Sequence, residues 1–236
     1  MLFLDWLAPH PQARWLEVGC GTGAFTQLIH ERCRPAAIVA VDPARAQLAY
    51  ARRRLARGAA AFHVAPAEAL PSSDASQDVV VSALALNFMA GRPAALREMR
   101  RVSRAGGTIA GYVWDFAAGR TPHAPLVRAL HRVGIDAPSP PGGDDCDRAA
   151  LHILFAGAGL VDVETTALDI EVIFADLAAF WTEQTPSFSP TTQLIAQLGE
   201  DQRNRLMEAV CGELTPRPDG RIVYPARANA VKARVP

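Results

Sequence analysis

Lysine is almost missing from this sequence: Lys232 is the only one, so nearly all positive charge is arginine. Basic and acidic residues balance at 24 each, and the formal net charge is zero. Affinity for a nucleic-acid backbone comes mainly from neutralising phosphates with a basic face. No global excess of charge supplies one, and no nucleic-acid partner is expected. The arginine bias, with the abundance of alanine, reads as base composition of the gene. Cys-x-x-Cys pairs are also lacking. Cys20, Cys33, Cys146 and Cys211 are scattered, which excludes a zinc site of closely spaced ligands and argues against a disulfide framework. The start, Met1-Leu2-Phe3-Leu4-Asp5-Trp6, has no basic n-region and no sustained apolar run. Neither a signal peptide nor a membrane span is expected, and the expected location is the cytoplasm.

What is present is an ordinary globular balance, half hydrophobic and a fifth charged, which excludes disorder over the whole length. A chain of 236 residues fits one α/β domain with a modest elaboration. Apolar runs of strand length at 15–18, 36–41, 61–64, 79–84 and 108–114 alternate with helical patterns at 24–32, 44–56 and 93–102. Gly58 is placed to cap the second of these helices, and Ala105-Gly106-Gly107 reads as a turn. Such alternation argues for a parallel sheet with helices on both faces. After residue 117 the character changes. Residues 138–147, rich in Pro, Gly and Asp, read as a loop or lid. Helices are expected at 149–158 and 176–183 and strands at 161–174 and 222–235. Residues 187–214, polar and then helical, read as an insertion.

The chemistry begins where the first strand runs into Gly19, Gly21 and Gly23. These let the backbone turn tightly against a ligand, and the helix that follows offers its free N–H groups and positive dipole end. The turn also satisfies the dinucleotide pattern G-x-G-x-x-G/A. Asp42, about twenty residues on, would accept bonds from ribose hydroxyls in either case. Its ordinary alternative is to cap the next helix, with Pro43 in the first helical position. Glu17 discriminates better. A docking pyrophosphate has no use for a carboxylate there, whereas a cationic amine and sulfonium do. Its ordinary alternative is a solvated strand end.

The segment Leu16-Glu17-Val18-Gly19-Cys20-Gly21-Thr22-Gly23 resembles motif I of class I S-adenosylmethionine (SAM) dependent methyltransferases. Val41-Asp42-Pro43 resembles their second motif. Ala67-Glu68-Ala69-Leu70-Pro71 resembles the adenine-side loop of the UbiE-like (type 11) branch. Residues 78–84 resemble the fourth strand, and 96–107 the helix and turn before the fifth. The resemblance covers roughly residues 15–114, in family order.

It implies a Rossmann-like, doubly wound, mostly parallel sheet with a late antiparallel strand. The chain would be a single domain over 1–236. Its cofactor core would lie at about 13–116, and its helical or loop lid at about 117–150 and 184–215. It also implies that S-adenosyl-L-methionine is the cofactor, S-adenosyl-L-homocysteine the product and a small molecule the acceptor. Gly19, Cys20 and Gly21 would face the methionine part and Glu17 its amine. Asp42 and Pro43 would border the ribose, Ala67 and Glu68 the adenine, and Ala83 and Leu84 the sulfonium. Two features depart from the branch. Pro66 stands where an Asp usually takes the adenine amino group, and only a short piece precedes Glu17, so either the cover over the cofactor is incomplete or the sequence starts late.

The residues themselves nominate Asn87, Asp115 and His123 as candidates for acting on an acceptor, the first two because they lie just past strand ends. Phe174, Phe180, Trp181 and Phe188 are candidates for an apolar acceptor pocket. Two other readings stay open: a nicotinamide-dependent Rossmann oxidoreductase, and a SAM-binding protein without catalysis.

Overall fold

A computed structural model describes residues 2–187 and 189–236. Its strands are β1 (Arg14–Val18), β2 (Ala37–Asp42), β3 (Ala61–Val64), β4 (Gln77–Ala83), β5 (Ser103–Trp114), β6 (Val161–Phe174) and β7 (Ile222–Arg234). They form one sheet in the order β3-β2-β1-β4-β5-β7-β6. The pairs β1–β2, β1–β4, β2–β3 and β4–β5 are parallel, and β7 runs antiparallel to β5. This is the doubly wound α/β sheet that the alternation of patterns calls for, with the late antiparallel strand that the family resemblance implies. Strand order reverses at β1, so a crevice opens at the carboxyl ends of β1 and β4, where such sheets bind ligands.

The chain divides into two compact units. One reaches up to Trp114 and includes Pro141–Leu168 and Ala228–Pro236. Its helices are α1 (Leu2–Leu7), α2 (Ala24–Cys33), α3 (Arg45–Arg54), α4 (Arg92–Val102) and α6 (Arg148–Gly157). Phe3, Trp15, Phe25, Ile29, Val79 and Val81 form a core against one sheet face. The Phe3 ring lies 4.7 Å from that of Tyr112, so the short segment before β1 packs on the sheet.

The other unit comprises Asp115–Pro140 and Asp169–Arg227. Helices α5 (Ala124–Arg132), α7 (Leu177–Gln184), α8 (Pro190–Ala196) and α9 (Glu200–Glu213) belong to it. Leu126, Leu130, Phe180, Leu206 and Val210 make its core. Phe174 and Phe180 are part of that core, edge to face at 5.3 Å. They are packing residues of that core. Phe188, named with them, lies outside the described residues.

Several local expectations need correction. Gly58 does not cap α3, because the helix ends at Leu55, whose N–H bonds the Ala51 carbonyl. The turn expected at Ala105-Gly106-Gly107 lies within β5 as an irregularity. Between the pairs Gln77–Ser103 and Val79–Thr108, β5 advances five residues while β4 advances two. Extra residues bulge out, with Gly106 at φ +71°. Helix α5 falls in a stretch read only as a change of character. The proline- and glycine-rich loop is held closely over 141–146: Pro141 O accepts from Asn87 Nδ2 at 3.2 Å, Asp145 pairs with Arg92, and Cys146 O accepts from Asn229 Nδ2. Among the described residues no helix is long and apolar enough to cross a membrane.

Candidate active site

The glycine turn is built by three backbone devices. Gly19 N–H and Cys20 N–H both donate to Val41 O, at 2.8 and 2.9 Å, which ties the end of β1 to β2. Gly21 N–H donates to Asp42 Oδ2 at 2.9 Å. Gly23 N–H closes the turn on Cys20 O. Gly19 sits at φ +77°, and a Cβ there would come within 2.4 Å of the Ala85 Cβ. Only glycine fits. Helix α2 then starts with no side-chain cap at Gly23, leaving its first N–H groups free for a ligand.

Glu17 is the chemical centre of the site. It is 1% exposed, so it is not a solvated strand end. Its Oε2 accepts a 2.5 Å hydrogen bond from Thr26 Oγ1 on α2. Burial raises its pKa from 4.5 to about 8; the Thr26 bond opposes this, and the nearby Asp42 carboxylate adds to it. Burial, and secondarily Glu17, also push the Cys20 thiol and the Tyr112 phenol up. The site therefore holds a carboxyl group that becomes a comfortable anion only when a cation arrives.

Asp42 is 7% exposed and uses both oxygens on the backbone, Oδ2 on Gly21 N–H and Oδ1 on Ala44 N–H at 2.8 Å. It is not the helix cap, and Pro43 is not the first helical residue. Ala44 occupies the N-cap position and α3 starts at Arg45. Leu84 follows β4 in the left-handed region at φ +57°, its N–H bonded to Tyr112 O. A non-glycine residue held there is strained, as residues at functional sites often are.

These elements enclose a cavity of about 780 Å³. All ten residues expected to touch a cofactor line it: Glu17, Gly19, Cys20, Gly21, Asp42, Pro43, Ala67, Glu68, Ala83 and Leu84. Asn87 does not; it is buried and spends its amide on Pro141 O. Asp115 belongs to the other unit, where its Oδ1 accepts from Ala118 N–H. His123, in that same unit, is the exposed N-cap residue of α5. Sequence reasoning missed Thr26, Phe25, Tyr112, Gln47 and Met89. Thr26 carried a faint signal, as a polar residue beside the apolar stripe of α2. Phe25 lies beside Thr26 in the apolar stripe of α2 and reads as core, and Gln47, Met89 and Tyr112 come from later in the chain and had no signal.

The charge of the lining decides between ligands. It carries three carboxylates, Glu17, Asp42 and Glu68, and no basic side chain. A pyrophosphate would meet anions there, whereas a ligand with an ammonium, a sulfonium and a ribose diol meets its complement. The residues thus fit SAM on two observations: a buried carboxylate without a counter-charge, and a turn whose cradle a single Cβ at Gly19 would fill.

An open α/β sheet with a glycine turn heading its first strand and a carboxylate heading its second defines a Rossmann-like, nucleoside-binding protein. A family model described as a methyltransferase domain matches residues 16–111. A malonyl-[acyl-carrier protein] O-methyltransferase of Serratia marcescens is 38% identical over 100 residues, 42% of this chain and 38% of that relative. The Geobacter sulfurreducens protein of the same name is 32% identical over 186 residues, 76% of this chain and 66% of that one. The chain thus spans less than two thirds of these relatives. The YcgJ protein of Bacillus subtilis has a like fold, with a TM-score of 0.63 at 16% identity over 99% of this chain and 96% of that one. Residues 16–111 thus match a methyltransferase domain, and over them the chain is similar to the class I SAM-dependent methyltransferases.

Proposed function

We propose that this chain transfers a methyl group from S-adenosyl-L-methionine to a small-molecule acceptor and releases S-adenosyl-L-homocysteine. The observation that carries the reading is the buried, uncompensated Glu17 carboxyl group in a cavity whose lining has carboxylates and no basic side chain. Glu17 holds the amine, oriented by Thr26. Asp42, fixed by Gly21 and Ala44, accepts from the ribose diol through lone pairs the backbone leaves free. Gly19, Cys20 and Gly21 lie against the methionine portion with Ala83 and Leu84 beside it. Pro43 lies beside the ribose, and Ala67 and Glu68 border the base. SAM supplies a methyl group already activated on sulfur, so alignment of the acceptor carries much of the rate.

Because the curated relatives are O-methyltransferases acting on a malonyl-acyl carrier protein, carboxylate thioesters come first in an acceptor panel. Four free cysteines support a cytoplasmic location, and the balanced charge supports a small-molecule acceptor over nucleic acid. Mass-spectrometric detection of S-adenosylhomocysteine formed from SAM, with and without malonyl thioester, tests the activity. Acceptor-dependent product is expected. Tight NADH binding with no response to SAM would overturn the reading in favour of an oxidoreductase. SAM binding without transfer across a broad panel would favour a binding protein.

A further inference from the structure

Lys232, the only lysine of the chain, lies on β7 opposite Ala110 of β5. Its ammonium group turns to the other end of the sequence. Nζ donates to Trp6 O at 3.3 Å and stands 4.6 Å from the centroid of the Trp6 ring. It also pairs with Glu164 Oε2 of β6 at 3.3 Å.

Helix α1 depends on such an anchor. It has six residues, too few to hold a helix in water unaided. Its last carbonyls have no partner inside the helix, and its last turn carries no basic residue to meet the negative end of the dipole. Leu4 O is met by Ala8 N–H. Trp6 O is met by Lys232, which supplies from β7 the cation that α1 lacks.

What α1 holds is one wall of the cavity. Phe3 and Trp6 are three residues apart on one face of α1, their rings 6.2 Å apart. The Phe3 ring lies 4.7 Å from that of Tyr112 and 5.8 Å from that of Phe25. Phe25 and Tyr112 meet edge to face at 5.8 Å and both line the cavity, whereas Phe3 and Trp6 stand behind them. Phe25 also precedes Thr26, whose hydroxyl bonds Glu17. A run of direct contacts thus leads from Lys232 through Trp6 and Phe3 to the lining beside Glu17.

Resting on the cofactor reading above, we propose that Lys232 is a positioning residue of the cofactor site. It lines no part of the cavity. Its ammonium fixes α1, so that Phe3 holds Phe25 and Tyr112 in place. Order in α1 and cofactor affinity are therefore coupled in both directions: loosening the helix weakens binding, and binding firms the helix.

Isothermal titration of the full chain with S-adenosylhomocysteine, together with amide hydrogen exchange over residues 2–8, tests this. Lys232→Met keeps an unbranched side chain and removes the cation. It is expected to weaken binding by about three- to tenfold and to quicken exchange in 2–8. Lys232→Arg keeps a cation at the ring and is expected to bind within about threefold of the unaltered chain. In the unaltered chain S-adenosylhomocysteine is expected to slow exchange in 2–8, a response that an anchor serving the fold alone would not give. Full affinity in Lys232→Met, equal losses in Lys232→Met and Lys232→Arg, or exchange in 2–8 that ignores S-adenosylhomocysteine would each overturn the proposal and leave the cofactor reading standing. Failure of the unaltered, folded chain to bind would overturn the cofactor reading and this inference with it.

Discussion

The Thr26 hydroxyl donates to the Glu17 carboxyl group across 2.5 Å in a place almost closed to water. One residue ends β1 and the other sits in the first turn of α2, so the bond braces the two sides of the glycine turn. It also orients the group whose charge the cofactor needs. Thr26→Val should keep the fold and lower S-adenosylhomocysteine affinity by about three- to tenfold, read by isothermal titration, as loss of a buried bond to a charged group implies. It should also raise the Glu17 pKa further, because the bond lowers it.

Glu17 makes binding pH-dependent. In the cofactor-free protein burial holds its pKa at about 8. Below that pH a cationic amine must first displace the proton. Affinity should rise up to about tenfold per pH unit from pH 6 to 8 and level off above. Titrations in buffers of different ionisation enthalpy should show a proton released on binding at pH 7. Glu17→Gln should lose both the slope and most of the affinity.

The same shift has a stability consequence with the opposite slope. The folded protein keeps this proton up to about pH 8, the unfolded chain only up to the ordinary value of 4.5. The folded state therefore binds more protons over that window, and this group's contribution to cofactor-free stability falls as pH rises from 4.5 to 8. Glu17→Gln keeps an acceptor for Thr26 and removes the buried charge. It should raise stability at pH 9 by about 2 to 4 kcal/mol and leave it little changed at pH 5, as measured by denaturant unfolding.

Gly19→Ala tests the cradle. The new Cβ meets the Ala85 Cβ at 2.4 Å with φ at +77°, so both backbone and neighbour must yield. A loss of about 2 to 4 kcal/mol in stability is expected, together with loss of detectable cofactor binding. Gly58→Ala has open space around its Cβ and only the positive φ against it. It should be milder, and it separates strain from contact.

Asn87→Ala tests a reassignment. Its position past a strand end suggested a role toward the acceptor, but its amide bonds Pro141 O. Proteolysis within 138–147 should quicken while cofactor affinity stays within about threefold.

The parallel part of the sheet was legible because it depends on local chemistry, whereas the late antiparallel strand and most residues now seen to line the cavity were named through the family resemblance. Apolar runs bounded by turns mark buried strands, and the glycines and Asp42 sit at strand ends where only backbone geometry matters. Asn87 and Asp115 do not line the cavity and bond backbone groups, because a position past a strand end says where a side chain starts and not which partner claims it. Helix α5 went unread beside a proline- and glycine-rich stretch. The bulge in β5 looked like a turn because its glycines are the same signal in both settings. Thr26 and Tyr112 matter through partners far along the chain, and no spacing announces those.

Titration of the full chain with S-adenosylhomocysteine at pH 8 most directly tests whether Glu17 and the glycine turn form a cofactor site. Saturable one-to-one binding, abolished by Glu17→Ala and by Asp42→Ala, is the expected result. No heat of binding from the folded protein, or binding untouched by either substitution, would contradict it.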